Sequence, residues 1–249
     1  MSSASSDSPG SSLDTPLWYV VPAAGSGQRL GGKLAKQYHS LNGTPMLKRT
    51  VERLMAVPDV AGIVVVLADG DEHWPSLGLD EHHLLHSVIG GASRASSVIA
   101  GLQYVLQQSP ADTWVMVHDA ARPLVALSDI QRLVNAVYNS GAIGGLLATP
   151  VHDTLKRADD YASIVETVER DGLWQAQTPQ LFRNGALLDA MLEAMQNKPD
   201  AITDEASAME LAGHEPLLVE ALQPNFKITR PVDWTLASAL LSQQHKANS

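Results

Sequence analysis

Cysteine is absent from the 249 residues, which excludes disulfides, thiolate catalysis and cysteine-ligated zinc. Long apolar runs are missing too: none reaches the roughly 20 residues that a membrane-spanning helix requires, so we expect no membrane partner. Basic residues are few, since 17 Lys and Arg stand against 27 Asp and Glu and the net charge is −10. A general nucleic-acid binder relies on a basic surface, so we expect no nucleic-acid partner either.

The first sixteen residues are rich in serine and contain no Lys or Arg. This composition is typical of a disordered tail. A secretory signal would need a basic start and an apolar core, and a transit peptide would need arginines, so neither is indicated. We therefore expect a cytoplasmic protein with a tail over residues 1–16. Residues 17–245 are expected to form a single domain, which is long enough to bury a core without disulfides.

Short apolar runs alternate with segments of helical periodicity along most of the chain. This order predicts an α/β fold in which helices cover a mostly parallel sheet. The strands are predicted at residues 17–22, 61–67, 84–89, 114–118, about 143–149 and about 225–228. The helices are predicted to begin near Thr44, Ser93 and Ser128, to cover residues 184–196 and 204–212, and to follow Pro231.

Residues 152–172 interrupt this alternation. Two short β-type runs, Thr154–Arg157 and Ile164–Val168, flank a polar turn, which predicts a hairpin that protrudes as an arm. An isolated two-stranded ribbon is only marginally stable in water. We therefore expect the arm to be buried against another subunit.

A glycine-rich stretch follows the first predicted strand. Glycines let backbone N–H groups converge on an anion where a Cβ would block the approach. Residues 15–51 contain no acidic side chain and five basic ones: Arg29, Lys33, Lys36, Lys48 and Arg49. In an acidic chain, this local excess of positive charge predicts a site for a polyanionic ligand such as a phosphate ester.

Three phosphate-binding loops have related spacings. A dinucleotide-binding loop would need a third glycine where Leu30 stands. A P-loop fits from Gly27 to Lys33, but Leu34 replaces the Ser or Thr that ligates magnesium. A nucleotidyltransferase loop, with Lys36 seven residues beyond Arg29, fits at every position.

Seven motifs occur in order between about residues 17 and 241. They are Ala23-Ala24-Gly25-Ser26-Gly27-Gln28-Arg29-Leu30 with Lys36-Gln37-Tyr38, Gly90-Gly91 with Arg94 and Ser97-Val98, Val117-His118-Asp119-Ala120-Ala121-Arg122-Pro123, Asp153-Thr154-Leu155-Lys156-Arg157, Arg170-Asp171-Gly172-Leu173-Trp174 with Gln177-Thr178-Pro179-Gln180, Ile202-Thr203-Asp204-Glu205-Ala206-Ser207-Ala208, and Lys227-Ile228-Thr229-Arg230-Pro231. Together these motifs resemble the 2-C-methyl-D-erythritol 4-phosphate cytidylyltransferase family.

The resemblance implies a Rossmann-like nucleotidyltransferase fold and a homodimer joined through the arm. It implies transfer of CMP from CTP to methylerythritol phosphate, with release of pyrophosphate, in non-mevalonate isoprenoid synthesis. Mg²⁺ is the implied cofactor, held mainly by the CTP phosphates near Asp119 rather than by a set of protein ligands. Two alternatives stay open: a ribitol 5-phosphate cytidylyltransferase and a catalytically silent homologue that only binds nucleotide.

The resemblance also assigns roles to individual residues. Arg29 and Lys36 would stabilise the transition state, and Asp119 would hold hydroxyl groups of the acceptor and the ribose. The implied CTP contacts are Ala23, Ala24, Gly25, Gly90, Gly91 and Ser97. The other implied contacts are Arg122, Thr154, Arg170, Thr178, Thr203 and Lys227, with Arg170 supplied by the arm of the partner subunit. The residues alone leave another role open for Asp119 and Arg122, an ion pair that stabilises the turn.

Two positions depart from the family pattern. Ala92 stands where an acidic residue is usual, and Ala35 replaces the usual proline before Lys36. The pair Gly31-Gly32 would also make the loop more flexible. None of these changes removes a charge that phosphate binding needs.

Overall fold

A seven-stranded sheet forms the centre of the structure, a computed structural model that describes residues 16–25, 34–79 and 81–247. In chain order the elements are β1 (Leu17–Pro22), β2 (Ser40–Leu41), β3 (Thr44–Pro45), α1 (Met46–Met55), β4 (Val60–Leu67), β5 (Leu85–Ile89), α2 (Arg94–Gln108), β6 (Trp114–Val117), α3 (Leu127–Ser140), β7 (Gly144–Pro150), β8 (Leu155–Ala158), β9 (Ile164–Val168), β10 (Trp174–Arg183), α4 (Asn184–Asn197), α5 (Glu205–Leu211), β11 (Leu217–Glu220) and α6 (Pro231–Ala247).

The sheet order is β11-β7-β10-β6-β1-β4-β5. All neighbouring strands pair in parallel except β10, which runs antiparallel to both β6 and β7. The predicted α/β fold with a mostly parallel sheet is therefore confirmed. Because β1, β4 and β6 are parallel, their carboxyl ends lie at one edge, which is where open α/β sheets bind ligands.

Helices cover both faces of the sheet because successive side chains of a strand point to opposite sides. Tyr19 and Val21 of β1 pack in the layer that contains α1 and α3. Trp18 and Val20 pack in the layer that contains α2, α4 and α5. A third apolar cluster joins α6 to Leu41, Met46, Ala121, Leu124 and Ile228. This cluster anchors the segment before α6 near the carboxyl edge of the sheet.

Most of the predicted elements are present with small shifts at their ends. Ser93 caps α2 as predicted: its Oγ accepts from the N–H of Ser96, and the Ser96 Oγ accepts from the N–H of Ser93. The helix predicted to begin near Ser128 is present as α3, but it begins at Leu127, so Ser128 lies in its first turn instead of capping it. Within the described residues, no helix is long and apolar enough to cross a membrane.

Three features of the sheet differ from the sequence prediction. The predicted strand at 225–228 is wrong, since this segment is held by single contacts such as the bond from the Ile228 N–H to the Ala121 carbonyl. Strands β10 and β11 had no counterpart in the prediction. The sequence of β10 contains Pro179 and several polar residues, which are typical of turns rather than of an interior strand.

The predicted hairpin is confirmed. Strands β8 and β9 pair antiparallel, from Leu155 opposite Val168 to Ala158 opposite Ile164. Apolar side chains of the hairpin are largely exposed, including Tyr161 at 90%. Burial of the hairpin against another subunit stays a prediction.

His118 follows β6 and is completely buried. Its Nε2 lies 3.0 Å from the Arg122 carbonyl, which can only accept, so Nε2 carries the proton. Its Nδ1 then accepts from the Thr178 hydroxyl, 3.2 Å away. Burial lowers the pKa of His118 to about 4, because the charged imidazolium would lose its hydration.

Acid should therefore destabilise the fold through His118. Between its folded pKa of about 4 and its ordinary value of 6.5, the unfolded chain binds a proton that the folded chain does not. The free energy of unfolding should therefore decrease as the pH falls, by about 2 kcal/mol between pH 7 and pH 5. Urea unfolding at both pH values should show this loss in the wild type and a smaller loss in His118→Gln.

The matched control is His214→Gln, which replaces an exposed histidine. This variant should keep the wild-type pH dependence. An equal pH dependence in the wild type and in His118→Gln would contradict the account.

Candidate active site

A cleft opens at the carboxyl ends of β1 and β6. It encloses about 260 Å³ and is lined by residues 22–25, 36–37, 91–94, 97, 119–121 and 227. Three chain segments converge there: the turn after β1, the turn after β5 and the turn after β6. The sheet topology brings these segments together although they are far apart in the sequence.

The turns after β1 and β5 form one wall of the cleft. Of the residues implied as CTP contacts, Gly90 does not line the cleft, and the others do: Ala23, Ala24, Gly25, Gly91 and Ser97. At Gly90 the backbone approach is very close, because a Cβ there would lie 2.6 Å from the Ser97 Oγ and 2.8 Å from the Ala24 Cβ. The glycine therefore lets the turn after β5 pack directly against the turn after β1.

Gln37 supports this wall, a role that the sequence did not suggest. Its side chain is buried and donates a hydrogen bond of 2.7 Å to the Ala23 carbonyl. The Ala23 N–H in turn donates to the Val66 carbonyl at 2.8 Å. Both polar groups of Ala23 are thus engaged, which fixes the direction of the turn after β1.

Two lysines line the opposite side of the cleft. The Lys36 Nζ donates to the Ile228 carbonyl at 2.6 Å, and Lys227 is the neighbour of Ile228. The chain beyond them is fixed by Asp233, whose Oδ2 accepts from the N–H and hydroxyl of Thr229 and from the N–H of Arg230 at 2.8–3.0 Å. One anchored segment therefore positions both lysines.

The glycine-rich loop itself cannot be compared with its prediction. Residues 26–33, with Arg29 and Gly31-Gly32, lie outside the described residues. The roles predicted for them stay predictions. The departures at Ala35 and Ala92 are described: Ala35 packs against the apolar core, and Ala92 lines the cleft.

Asp119 lies at the floor of the cleft and meets three cations. Its Oδ1 is 3.1 Å from the Arg94 Nε, and its Oδ2 is 3.0 Å from the Lys227 Nζ and 3.3 Å from the Arg122 Nε. Burial alone would raise the pKa of the Asp119 carboxyl, but the three cations outweigh it and hold that pKa well below its usual range. Asp119 is therefore a fixed, ionised acceptor at neutral pH.

A hydrogen-bonded chain lies behind Asp119. The Asp119 N–H donates to the Thr178 Oγ at 3.0 Å, and the Thr178 hydroxyl faces His118. Thr178, predicted as a substrate contact, is buried and does not line the cleft. It acts on the cleft through the backbone of Asp119.

Arg122 is also buried beside Asp119. Besides its ion pair, its Nη1 donates to the Asn225 carbonyl at 2.8 Å, and its N–H donates to the Asp119 carbonyl. The turn-stabilising pair that the sequence left open is thus present. Arg122 does not line the cleft, so it too acts through Asp119.

Glu205 completes the charged cluster, and the sequence did not single it out. It is fully buried, and its two oxygens lie 2.7 and 3.1 Å from Nη1 and Nη2 of Arg94. Burial raises the pKa of the Glu205 carboxyl above its usual value, and Arg94 opposes this rise. The motif 202–208 contained Glu205, but a buried acid cannot be told from an exposed one by sequence alone.

Three predicted acceptor contacts are not brought to the cleft of their own chain. Thr154 and Arg170 are exposed on the arm, where Arg170 donates to the His152 carbonyl. Thr203 is exposed two residues before Glu205. None of the three lines the cleft formed by the described residues.

The described residues contain no group of three His, Asp or Glu side chains that could hold a metal ion. Of the described residues that line the cleft, Asp119 alone is a carboxylate, and its oxygens already face cations.

Comparisons with known proteins agree with this geometry. Residues 17–243 match the family model of IspD, 2-C-methyl-D-erythritol 4-phosphate cytidylyltransferase. A protein of this name from Vibrio parahaemolyticus is 46% identical over 90% of this chain and 95% of its own length. A solved 4-diphosphocytidyl-2C-methyl-D-erythritol synthase is 35% identical, covers 92% of this chain and 100% of its own, and superposes with a TM-score of 0.79.

A solved cytidylyltransferase of the same name from Francisella tularensis is 34% identical, covers 90% of this chain and 99% of its own, and also has a TM-score of 0.79. Family model, sequence relatives and solved structures thus agree over nearly the whole chain. The chain belongs to the 2-C-methyl-D-erythritol 4-phosphate cytidylyltransferase family.

Proposed function

We propose that this cleft transfers CMP from CTP to 2-C-methyl-D-erythritol 4-phosphate, releasing pyrophosphate in non-mevalonate isoprenoid synthesis. Family membership supports the reaction, because the relatives are named for it. The observation that carries the assignment to this cleft is the ionised Asp119 among Arg94, Arg122 and Lys227, with Lys36 nearby. Such a cleft offers positive charge to phosphates and one carboxylate to hydroxyl groups.

In the proposed reaction, a phosphate oxygen of the acceptor attacks the α-phosphorus of CTP. An O–P bond forms, and the bond from this phosphorus to the pyrophosphate oxygen breaks. Negative charge increases on the oxygens around the α-phosphorus and on the leaving group, so fixed cations there lower the barrier. We assign this role to Lys36 and Arg29. The place of Lys36 in the lining of the cleft supports its part in this role.

We propose that CTP lies along the wall formed by the turns after β1 and β5. Backbone groups at Ala24, Gly25 and Gly91, the second lone pair of the Ala23 carbonyl and the Ser97 hydroxyl would select the cytosine. The small residues along this wall, Ala23, Ala24, Gly25 and Gly91, support this proposal, because their side chains leave the backbone groups accessible from the cleft. A flat base fits against such a surface.

The acceptor is proposed to lie between Asp119 and Lys227. Asp119 would accept hydrogen bonds from hydroxyl groups, and Lys227 would hold the phosphate. The ion pair between them, 3.0 Å long, supports this arrangement because it holds the two groups side by side in the cleft wall. Arg122 and Thr178 would keep Asp119 in place.

Mg²⁺ fits this cleft only as a companion of the triphosphate. Its ligands would be mainly CTP oxygens, because the cleft supplies a single carboxylate that is already paired. Bound there, the ion would neutralise part of the charge that repels the attacking phosphate. Among the described residues that line the cleft, Asp119 is the carboxylate that could approach such an ion.

We further infer that the protein acts in the cytoplasm as a homodimer of single-domain chains, joined through the β8–β9 hairpin. Exposed apolar side chains on the hairpin support the dimer: Tyr161, Ile164 and Val165 are 90%, 67% and 62% exposed. The position of Thr154 and Arg170 on the same arm, away from their own cleft, supports their delivery to the partner's cleft.

The central test is pyrophosphate release from CTP and Mg²⁺ with methylerythritol 4-phosphate. Lys36→Ala should lower kcat by about 100-fold or more, because one preorganised donor to the transition state is lost. Lys48→Ala is the matched control, since Lys48 also donates to a backbone carbonyl but does not line the cleft. It should keep wild-type turnover.

Two outcomes of that assay would contradict the proposal. Faster release with ribitol 5-phosphate would keep the chemistry and change the substrate. Absence of release with either acceptor, with CTP still bound, would identify a silent nucleotide-binding homologue.

The partner's contribution can be tested with a heterodimer of Lys36→Ala and Arg170→Ala chains, isolated through two different affinity tags. If Arg170 serves the partner's cleft, one of its two sites has both residues, and turnover should be about half that of the wild type. If Arg170 serves its own cleft, both sites are defective and the heterodimer is inactive. The two homodimeric variants are the controls.

Removal of Mg²⁺ should abolish turnover. The Mg²⁺ concentration that restores turnover should depend on the concentration of CTP. If CTP phosphates hold the ion, the Mg²⁺ concentration for half-maximal activity rises with the CTP concentration. A half-maximal concentration that does not change with CTP would instead indicate a metal site built by the protein. Pyrophosphate release at several fixed CTP concentrations distinguishes the two.

A further inference from the structure

We propose that Glu205 is a positioning residue for the transfer reaction: through Arg94, it fixes the orientation of the Asp119 carboxylate in the cleft. This inference rests on the proposed function, since it concerns the same site. Glu205 itself touches no part of the cleft, because it is fully buried behind Arg94. Its effect must therefore pass through the guanidinium group.

Arg94 connects the two carboxylates with three hydrogen bonds. Nη1 and Nη2 donate to the two oxygens of Glu205, and Nε donates to the Oδ1 of Asp119. A guanidinium is planar, so the paired bonds to Glu205 fix the direction in which Nε points. The position of the Oδ1 of Asp119 is thus set by a residue of α5, 86 positions further along the chain.

Glu205 can fix Arg94 because it is itself held by the sheet. Gln180 of β10 is buried, donates to the Oδ2 of Asp204 at 2.9 Å and accepts from the N–H of Ala206 at 2.7 Å. These bonds attach both neighbours of Glu205 to an interior strand. The first turn of α5 is therefore a rigid support rather than a mobile surface element.

The support of Arg94 by Glu205 matters because the two oxygens of Asp119 have different partners. Its Oδ2 already receives Lys227 and Arg122, so Oδ1 is the oxygen that Arg94 must hold for the carboxylate to keep one orientation. Without Glu205, the Arg94 side chain, which is 31% exposed, would be free to turn toward a bound phosphate. Asp119 would then lose its alignment with the hydroxyl groups of the ligands.

The experiment is a double-mutant cycle measured by pyrophosphate release. Glu205→Gln keeps the shape of the side chain and removes its charge, and we expect kcat/KM for the acceptor to fall about tenfold, a loss of 1.4 kcal/mol. In an Asp119→Asn background, Glu205→Gln should lower kcat/KM less than twofold, because the carboxylate that Glu205 helps to orient is already absent. Glu205→Asp, which retains the charge, should recover part of the activity.

Asp129→Asn is the matched control for stability. Asp129 is also fully buried in the first turn of a helix, pairs with Arg132, and accepts from the N–H groups of Leu222 and Gln223. It does not line the cleft. Its loss should lower the melting temperature but leave kcat/KM of the folded enzyme unchanged.

A second variant keeps the test decisive if Glu205→Gln folds poorly. Arg94→Lys retains the cation and loses the planar fork, and it should show the same loss and the same dependence on Asp119. The inference would be overturned if either variant kept the wild-type kcat/KM. It would also be overturned if the fold-loss in kcat/KM of the double variant equalled the product of the two single losses. Wild-type release is measured first, so failure of the proposed function appears in the wild type and failure of this inference only in the variants.

Discussion

The burial of one ionised carboxylate, Asp119, is the constraint on which the site depends. A carboxylate at the floor of a cleft is costly unless cations and hydrogen bonds compensate for its lost hydration. Here Arg94, Arg122 and Lys227 provide that compensation from three different parts of the chain. In the proposed function, the same cations supply the positive field that a triphosphate and a phosphomonoester require. The charges that stabilise the buried carboxylate are then also the charges proposed to bind the ligands.

The fold brings these charges together by means of strand order. Strand β6 delivers Asp119 to the carboxyl edge, and the turn after β5 leads directly into α2 and Arg94. The antiparallel β10 places Thr178 behind Asp119 and Gln180 under α5. The apolar cluster around α6 holds the segment of Lys227 against Ala121. The elements that build the core thus also position the residues in and around the cleft.

The sequence predicted the parts of this arrangement that depend on local pattern. Alternating strands and helices predicted the α/β fold. The excess of positive charge between residues 15 and 51 predicted an anion site near Lys36, which lines the cleft. The polar composition of β10 concealed an interior strand, because its residues Gln177, Thr178 and Gln180 are buried and form hydrogen bonds within the core. Glu205 and Asp233 were missed for a similar reason: their importance comes from partners distant in the sequence or from backbone geometry. The role proposed for Arg170 depends on a second chain, which one sequence cannot position.

The most direct test of the account is a crystal structure of the wild-type chain with CTP and Mg²⁺. The account predicts that the cytosine contacts the backbone wall at Ala23, Ala24 and Gly91, that the triphosphate and its ion lie beside Lys36, and that Asp119 keeps its bonds to Arg94 and Lys227. A nucleotide bound outside this cleft, or an Asp119 that has left its three cations to ligate the metal, would contradict it.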